Sequence, residues 1–76
     1  MNNKIQMIKV NSSNIASIGY DKTSMQLHVC FKKNNSLYIY DKVSIEEFNG
    51  LLNSQSKGKY FHNNIKNGGY HFTKVK

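Results

Sequence analysis

Proline, arginine and tryptophan are absent from these 76 residues, cysteine occurs once, and the acidic residues number only four. Each shortage excludes something. With Cys30 alone, no intramolecular disulfide can form, so a stapled secreted scaffold is excluded. Without arginine, the planar fork that reads guanine through two bonds is missing, whereas attraction of phosphate by ammonium groups is intact. No apolar run approaches the ~20 residues of a membrane-spanning helix, and Met1-Asn2-Asn3-Lys4 leads into no signal-peptide core. These absences predict a cytoplasmic protein with no membrane partner.

What is present fits one small domain over residues 1–76. At 38% hydrophobic and 12% aromatic the chain is too apolar for a disordered tail. A chain of this size buries only about 60% of the surface that unfolding exposes, so there is no room for a second core. All eleven cations are lysines, giving a net charge of +7. Their distribution is uneven: residues 1–47 carry six lysines and all four acids, whereas Phe48 to Lys76 carries five lysines and no acid. The C-terminal third is therefore the electropositive end, suited to a phosphate-bearing partner.

Periodicity divides the chain into a strand-rich front and a helical back. Ile5 to Val10 reads as a short strand and Ile15 to Tyr20 as a second, linked by the polar run Asn11 to Asn14. Asp21 to Ser24 supplies a turn. Met25, Leu27, Val29 and Phe31 then alternate with Gln26, His28, Cys30 and Lys32, the period-2 pattern of a strand with one buried face. Lys33-Asn34-Asn35-Ser36 closes a hairpin, because Asn tolerates positive φ, and Leu37 to Tyr40 returns as the partner strand. Ser44 and Glu47 form the pattern of a capping box, with Val43 and Phe48 at the hydrophobic-staple positions. Ile45, Phe48, Leu51 and Leu52 make one apolar helix face. Ser56 caps a second helix holding Tyr60, Phe61 and Ile65, which Gly68-Gly69 ends. Tyr70-His71-Phe72-Thr73 suits a terminal strand and a frayed tail equally. The expected fold is α+β: an antiparallel meander of three or four strands followed by two short helices packed on one face.

Several of these stretches resemble the KTSC domain, a short module found at the C-terminus of some lysyl-tRNA synthetases and as a stand-alone bacterial or phage protein. The resemblance covers about residues 10–70. It rests on Ser12-Ser13, Ile15, Gly19-Tyr20-Asp21, Leu27-x-Val29-x-Phe31, Tyr38-x-Tyr40, Val43, Leu51-Leu52 and Ser56-x-Gly58-Lys59-Tyr60-Phe61. Ser44 departs from a common Pro, and Asn34-Asn35 from a common Gly; a capping Ser and a turn Asn keep the local geometry. The resemblance implies RNA binding only by association with the synthetase.

No catalytic set and no cofactor site emerge. His28 and Cys30 share a strand face, but two ligands fall short of the three or four that a metal needs. Asp21 is explained by an Asx turn, and the adjacent Glu46 and Glu47 point in different directions on a helix. The best anion site is Lys57-Gly58-Lys59-Tyr60, at a helix start where the dipole favours negative charge, with Lys66 one further cation. Tyr38 and Tyr40 share a sheet face and have two readings: base-stacking platforms, or core residues covered by Phe48 and Leu52. Leu37 and Ile39 make the other face apolar, which calls for a covering N-terminal strand or a self-association surface, as in a homodimer. The leading expectation is a non-catalytic domain that binds nucleic acid, RNA above all. A phosphate-bearing small molecule such as a signalling nucleotide, held by an oligomer, is the alternative, and a protein-interaction module using Leu37 and Ile39 is the third.

Overall fold

The computed structural model describes residues 5–75; the ends of the domain expected over 1–76 lie outside the described residues. Five antiparallel strands follow one another across a single sheet in chain order: β1 (Ile8–Lys9), β2 (Ile15–Asp21), β3 (Gln26–Phe31), β4 (Leu37–Tyr40) and β5 (Phe72–Lys74). Between β4 and β5 the chain forms α1 (Ile45–Asn53) and α2 (Lys57–Tyr60), the latter continuing as a π-helical stretch, Phe61–Lys66. The architecture is α+β, with one strand more than the meander predicted from sequence. The extra strand arises because Tyr70 to Thr73 is no frayed tail. Gly69, at φ +80°, turns the chain back. The Asp41 N–H then donates to the His71 carbonyl at 2.9 Å and the Val75 N–H to the Leu37 carbonyl at 2.7 Å, fastening β5 to β4.

The turns follow from their residues. The Asp21 carboxylate accepts the Thr23 N–H at 3.0 Å, forming the expected Asx turn. Asn34 and Asn35 take φ of 61° and 50° in the β3–β4 turn, as a short hairpin requires. Met25 differs from expectation. It adopts φ 58° in the β2–β3 turn and is 44% exposed, because closing the Asp21–Gln26 pair needs a left-handed residue just before it. β1 is likewise reduced to two residues of the predicted Ile5 to Val10.

Cross-strand pairs share a face, so register places the core. Ile18, Val29 and Tyr38 form one row and Tyr20, Leu27, Tyr40 and Phe72 the next, all on the side toward the helices. A bulge between Ile15 and Ser17 brings Ile15 to that same side, three residues from Ile18. Phe48, Leu51, Phe61 and Ile65 descend onto these rows from the helices. The Phe48 ring stacks on Tyr20 at 5.1 Å. Tyr40 is 5% exposed and lies under Phe61, ring centroids 5.6 Å apart. Of the two readings for Tyr40 the core one therefore holds and base stacking does not, and its cover is Phe61 rather than the expected Phe48 and Leu52. Ile45 is 37% exposed at the first turn of α1 and Leu52 is half-buried, so the buried face of α1 is narrower than predicted and centres on Phe48 and Leu51. Half of the capping box forms. The Ser44 hydroxyl accepts the Glu47 N–H at 3.1 Å, while the Glu47 carboxylate lies near the phenols of Tyr60 and Tyr70 and raises their pKa beyond what burial already does.

The opposite face carries Gly19, His28, Cys30, Leu37 and Ile39. Of the two expectations for it, cover by the N-terminal stretch is seen at Gly19. A Cβ there would meet Met7 Sδ at 2.7 Å and Ile5 Cγ2 at 2.8 Å, so only glycine lets this stretch lie across β2. On the neighbouring strand the His28 Nε2 is buried with no hydrogen-bond partner among the described residues.

Two measurements check this arrangement. Leu51→Ala should cost about 2–5 kcal/mol and Leu52→Ala about 1–2 kcal/mol, read from urea midpoints; equal costs would mean that α1 is rotated. Burial lowers the His28 pKa, with Asp21 opposing through its charge. The unfolded chain then takes up this proton first, so stability is full above about pH 6.5 and declines as the pH falls through that value toward the lower folded pKa. His28→Gln should remove that part of the slope in urea midpoints measured from about pH 7.5 to 5.5.

Candidate nucleic-acid interface

Two polar segments, 41 positions apart in sequence, meet at the start of β2. The first, Asn11 to Asn14, is shaped by Ser12, whose hydroxyl accepts the Ile15 N–H at 3.3 Å and donates to Asn14 Oδ1 at 3.0 Å. The Asn14 carbonyl accepts the Lys32 N–H at 2.9 Å, which locks the segment to the end of β3. The second segment, Gln55 to Lys59, leaves α1 through Ser54. The Ser54 hydroxyl accepts the Ser56 N–H at 3.1 Å and donates to the Ser56 carbonyl at 3.0 Å, a knot that turns the chain sharply into α2. Gly58 lets the segments touch: a Cβ there would stand 2.8 Å from Asn14 Oδ1. Between them lies an open groove of about 410 Å³, lined by Asn11 to Asn14 and Gln55 to Lys59.

The lining is hydroxyls, amides and two ammonium groups; no carboxylate and no imidazole is in it. Such a surface offers donors and positive charge to an anion, and no group there repels one. The two lysines differ. Lys57 Nζ donates to the Ser54 carbonyl at 2.8 Å and so also satisfies the C-terminal end of α1, whereas Lys59 is exposed. The Ser56 side chain makes no capping bond, contrary to expectation; its carbonyl accepts the Tyr60 N–H at 2.9 Å.

Of the residues predicted for the site, Lys57, Gly58 and Lys59 line the groove. Tyr60 and Lys66 do not. The Tyr60 hydroxyl rests against Gly50 of α1, and its ring packs on the core. Lys66 lies exposed at the end of the π-helical stretch. The latter begins after one turn of α2 and widens the helix until the Asn67 N–H reaches the His62 carbonyl, carrying Lys66 beyond the groove. Tyr38 is half-buried at the β4–β5 edge, away from it. Asn11, Ser13, Asn14 and Gln55 are not among the site residues expected from sequence; the run Asn11 to Asn14 reads there as a link between strands, and the one signal is Ser12-Ser13 within the resemblance.

A second hollow, about 530 Å³, lies beside the Gly68-Gly69 turn. Its one carboxylate, Asp41, is already engaged: Oδ1 accepts Gln26 Nε2 at 2.9 Å and Oδ2 lies 3.0 Å from His71 Nδ1. These bonds, that of Gln26 first, hold the Asp41 pKa below the usual carboxylate value. The cluster fastens β5 to the sheet. Among the described residues no group of three or more His, Cys, Asp or Glu is placed to hold a metal.

The groove begins where a wider likeness begins: the sequence profile of the KTSC domain matches residues 11–70. The chain belongs to the KTSC domain family. Both walls of the groove fall within the matched stretch, and β5 lies just beyond it. A crystal structure of a KTSC domain protein from Yersinia pestis is similar throughout, with a TM-score of 0.87 and 29% identity over 96% of this chain and 100% of that one. No curated protein matches. In this KTSC domain no helix is long and apolar enough to cross a membrane among the described residues.

The role of Gly58 can be read directly. In Gly58→Ala the new methyl displaces the Asn14 amide from the groove, while improved helix propensity, about 1 kcal/mol, offsets the local strain. Thermal stability should stay nearly constant while the shift of the Asn14 side-chain amide signal on titration with inorganic phosphate is lost. A large fall in melting temperature would instead make Gly58 a packing residue alone.

Proposed function

We propose that this KTSC domain is a non-catalytic, cytoplasmic RNA-binding module that holds the phosphate backbone in the groove between Asn11–Asn14 and Gln55–Lys59. The observation that carries the reading is the composition of that groove: two ammonium groups among hydroxyls and amides, without a carboxylate, both cations coming from the part of the chain that has five lysines and no acid after Phe48. Lysine as the sole cation favours phosphate contact over reading of base edges, because an ammonium group is a point charge without the fork that pairs with guanine. A binding role also agrees with the lining of the groove, in which the hydroxyls have neither an imidazole nor a carboxylate among them.

One observation favours a second reading. The groove volume, about 410 Å³, falls within the range of small-molecule sites, so a nucleotide carrying phosphates would also fit. Fluorescence anisotropy with a labelled single-stranded RNA of twelve or more nucleotides, repeated over a range of salt, separates the two. RNA binding should weaken with salt at a log–log slope of about −0.7 per phosphate contacted. Lys57→Gln/Lys59→Gln should lower the affinity and flatten that slope by up to about 1.4, leaving folding nearly intact. A mononucleotide that binds as tightly as the RNA would transfer the groove to the second reading. Salt-independent binding, or an unchanged double variant, would remove the phosphate site.

A further inference from the structure

The helices do not cover the whole of their side of the sheet. Phe61 is the last helical aromatic over it, touching Phe31 at 5.3 Å and Tyr40 at 5.6 Å between ring centroids. Beyond it, at the β4–β5 edge, Tyr38 is half-buried and Phe72 is 53% exposed, their ring centroids 5.8 Å apart. Lys74 is the cross-strand partner of Tyr38 and so stands on the same face. The edge therefore presents the exposed Phe72 ring and the uncovered part of the Tyr38 ring beside an ammonium group. The acid nearest in sequence to these rings on β4, Asp41, is turned to Gln26 and His71.

This edge is joined to the groove. Asn14 in the groove wall holds the backbone of Lys32, whose neighbour Phe31 touches the Tyr38 ring at 5.5 Å. Lys32 and Lys33 are both exposed at the β3–β4 turn, next to the Asn14 wall of the groove. From β2 to β5 the way is three strand spacings, about 15 Å, a span that a few nucleotides of single strand cover. Cations thus stand at three places, Lys57 and Lys59 at the groove, Lys32 and Lys33 at the turn and Lys74 at the far edge, where the aromatic rings are. That is the composition of a surface for single-stranded nucleic acid, in which charge follows the backbone and rings receive bases.

We infer that the strand bound in the groove is single-stranded RNA running past Lys32 and Lys33 to the β4–β5 edge, where its bases stack on Phe72 and Tyr38 beside Lys74. The inference rests on the reading of the groove as a backbone site. A duplex is disfavoured as the occupant, because paired bases do not offer their faces to a ring at a sheet edge.

The chain has no tryptophan, so Phe72→Trp adds a single indole at the proposed stacking position. Its fluorescence should be quenched by a uridine dodecamer and left unchanged by an abasic ribose-phosphate chain of equal length. Phe72→Leu, which keeps an apolar side chain for packing, should bind the dodecamer about 5- to 150-fold more weakly, with the salt slope and melting temperature retained. If the indole is not quenched and the abasic chain binds as well as the dodecamer, both with a salt slope that depends on Lys57 and Lys59, stacking at this edge is refuted and the backbone site stands. If neither chain binds with a salt slope, both ideas fall. If Phe72→Leu changes the sedimenting mass and not RNA affinity, the edge is a contact between copies of the chain and the inference is wrong.

Discussion

One tyrosine joins the two layers of this domain. Tyr20, at the end of β2, donates its hydroxyl hydrogen to the Val43 carbonyl, and its ring stacks on Phe48. The Val43 N–H donates to the Met25 carbonyl at 2.8 Å, so both backbone groups of Val43 are satisfied by the β2–β3 hairpin while its side chain is fully buried. Burying a backbone corner without such partners would cost about 1–3 kcal/mol for each group. With them, the end of β4 and the start of α1 are fixed in place, and Ser44 can cap the helix immediately afterwards. Everything downstream inherits that orientation: α1 delivers Ser54, Ser54 turns the chain, and the turn presents Lys57 to Lys59 toward Asn14.

The groove is thus a product of packing rather than of a contiguous motif. Its first wall precedes β2 and is held from below by the Lys32 N–H; its second follows α1 and is held by a serine and a lysine that bond to their own turn. Neither wall needs a ligand in order to form, so binding of the kind proposed would cost little ordering free energy, which raises affinity for a given set of contacts. Lys57 shows how economical the arrangement is. The ammonium group that neutralises the carbonyl end of α1 also contributes charge to the groove.

Where the sequence has a strong local pattern, structure follows it. The alternation from Leu27 to Phe31, the paired Asn34 and Asn35, the Asx turn at Asp21 and the Ser44 cap are each governed by neighbours a few residues away, and each is present. The differences arise where distant residues decide. Ile45 belongs to the apolar face of α1 by spacing, but the sheet beneath its end of the helix is already filled by Val43 and Phe48. Tyr40 meets Phe61 rather than Phe48 because the π-helical stretch brings the second helix over β4. The bulge that returns Ile15 to the core breaks the period-2 rule at one residue, which no pattern shorter than the strand reveals. Lys57, Gly58 and Lys59 were legible as half of a site from their own composition. The other half was not, since a run of Asn and Ser is the same whether it links two strands or faces a lysine across a groove. The resemblance named Ser12-Ser13 and Ser56-x-Gly58 together, without showing that they meet.

The order of strands in space is the order of strands in the chain, and this has a consequence for how the domain comes into being. Each of the first three pairings closes a loop of a few residues, so little chain entropy is lost before the contacts form, and only the β4–β5 pairing waits for the helices. With no proline anywhere, no slow isomerisation of a prolyl bond can hold the chain back. The meander can therefore assemble by local pairing, strand upon strand, without waiting for the helices. The edge that β5 will occupy stays open until last, and the polymer next to which this chain is born is itself RNA.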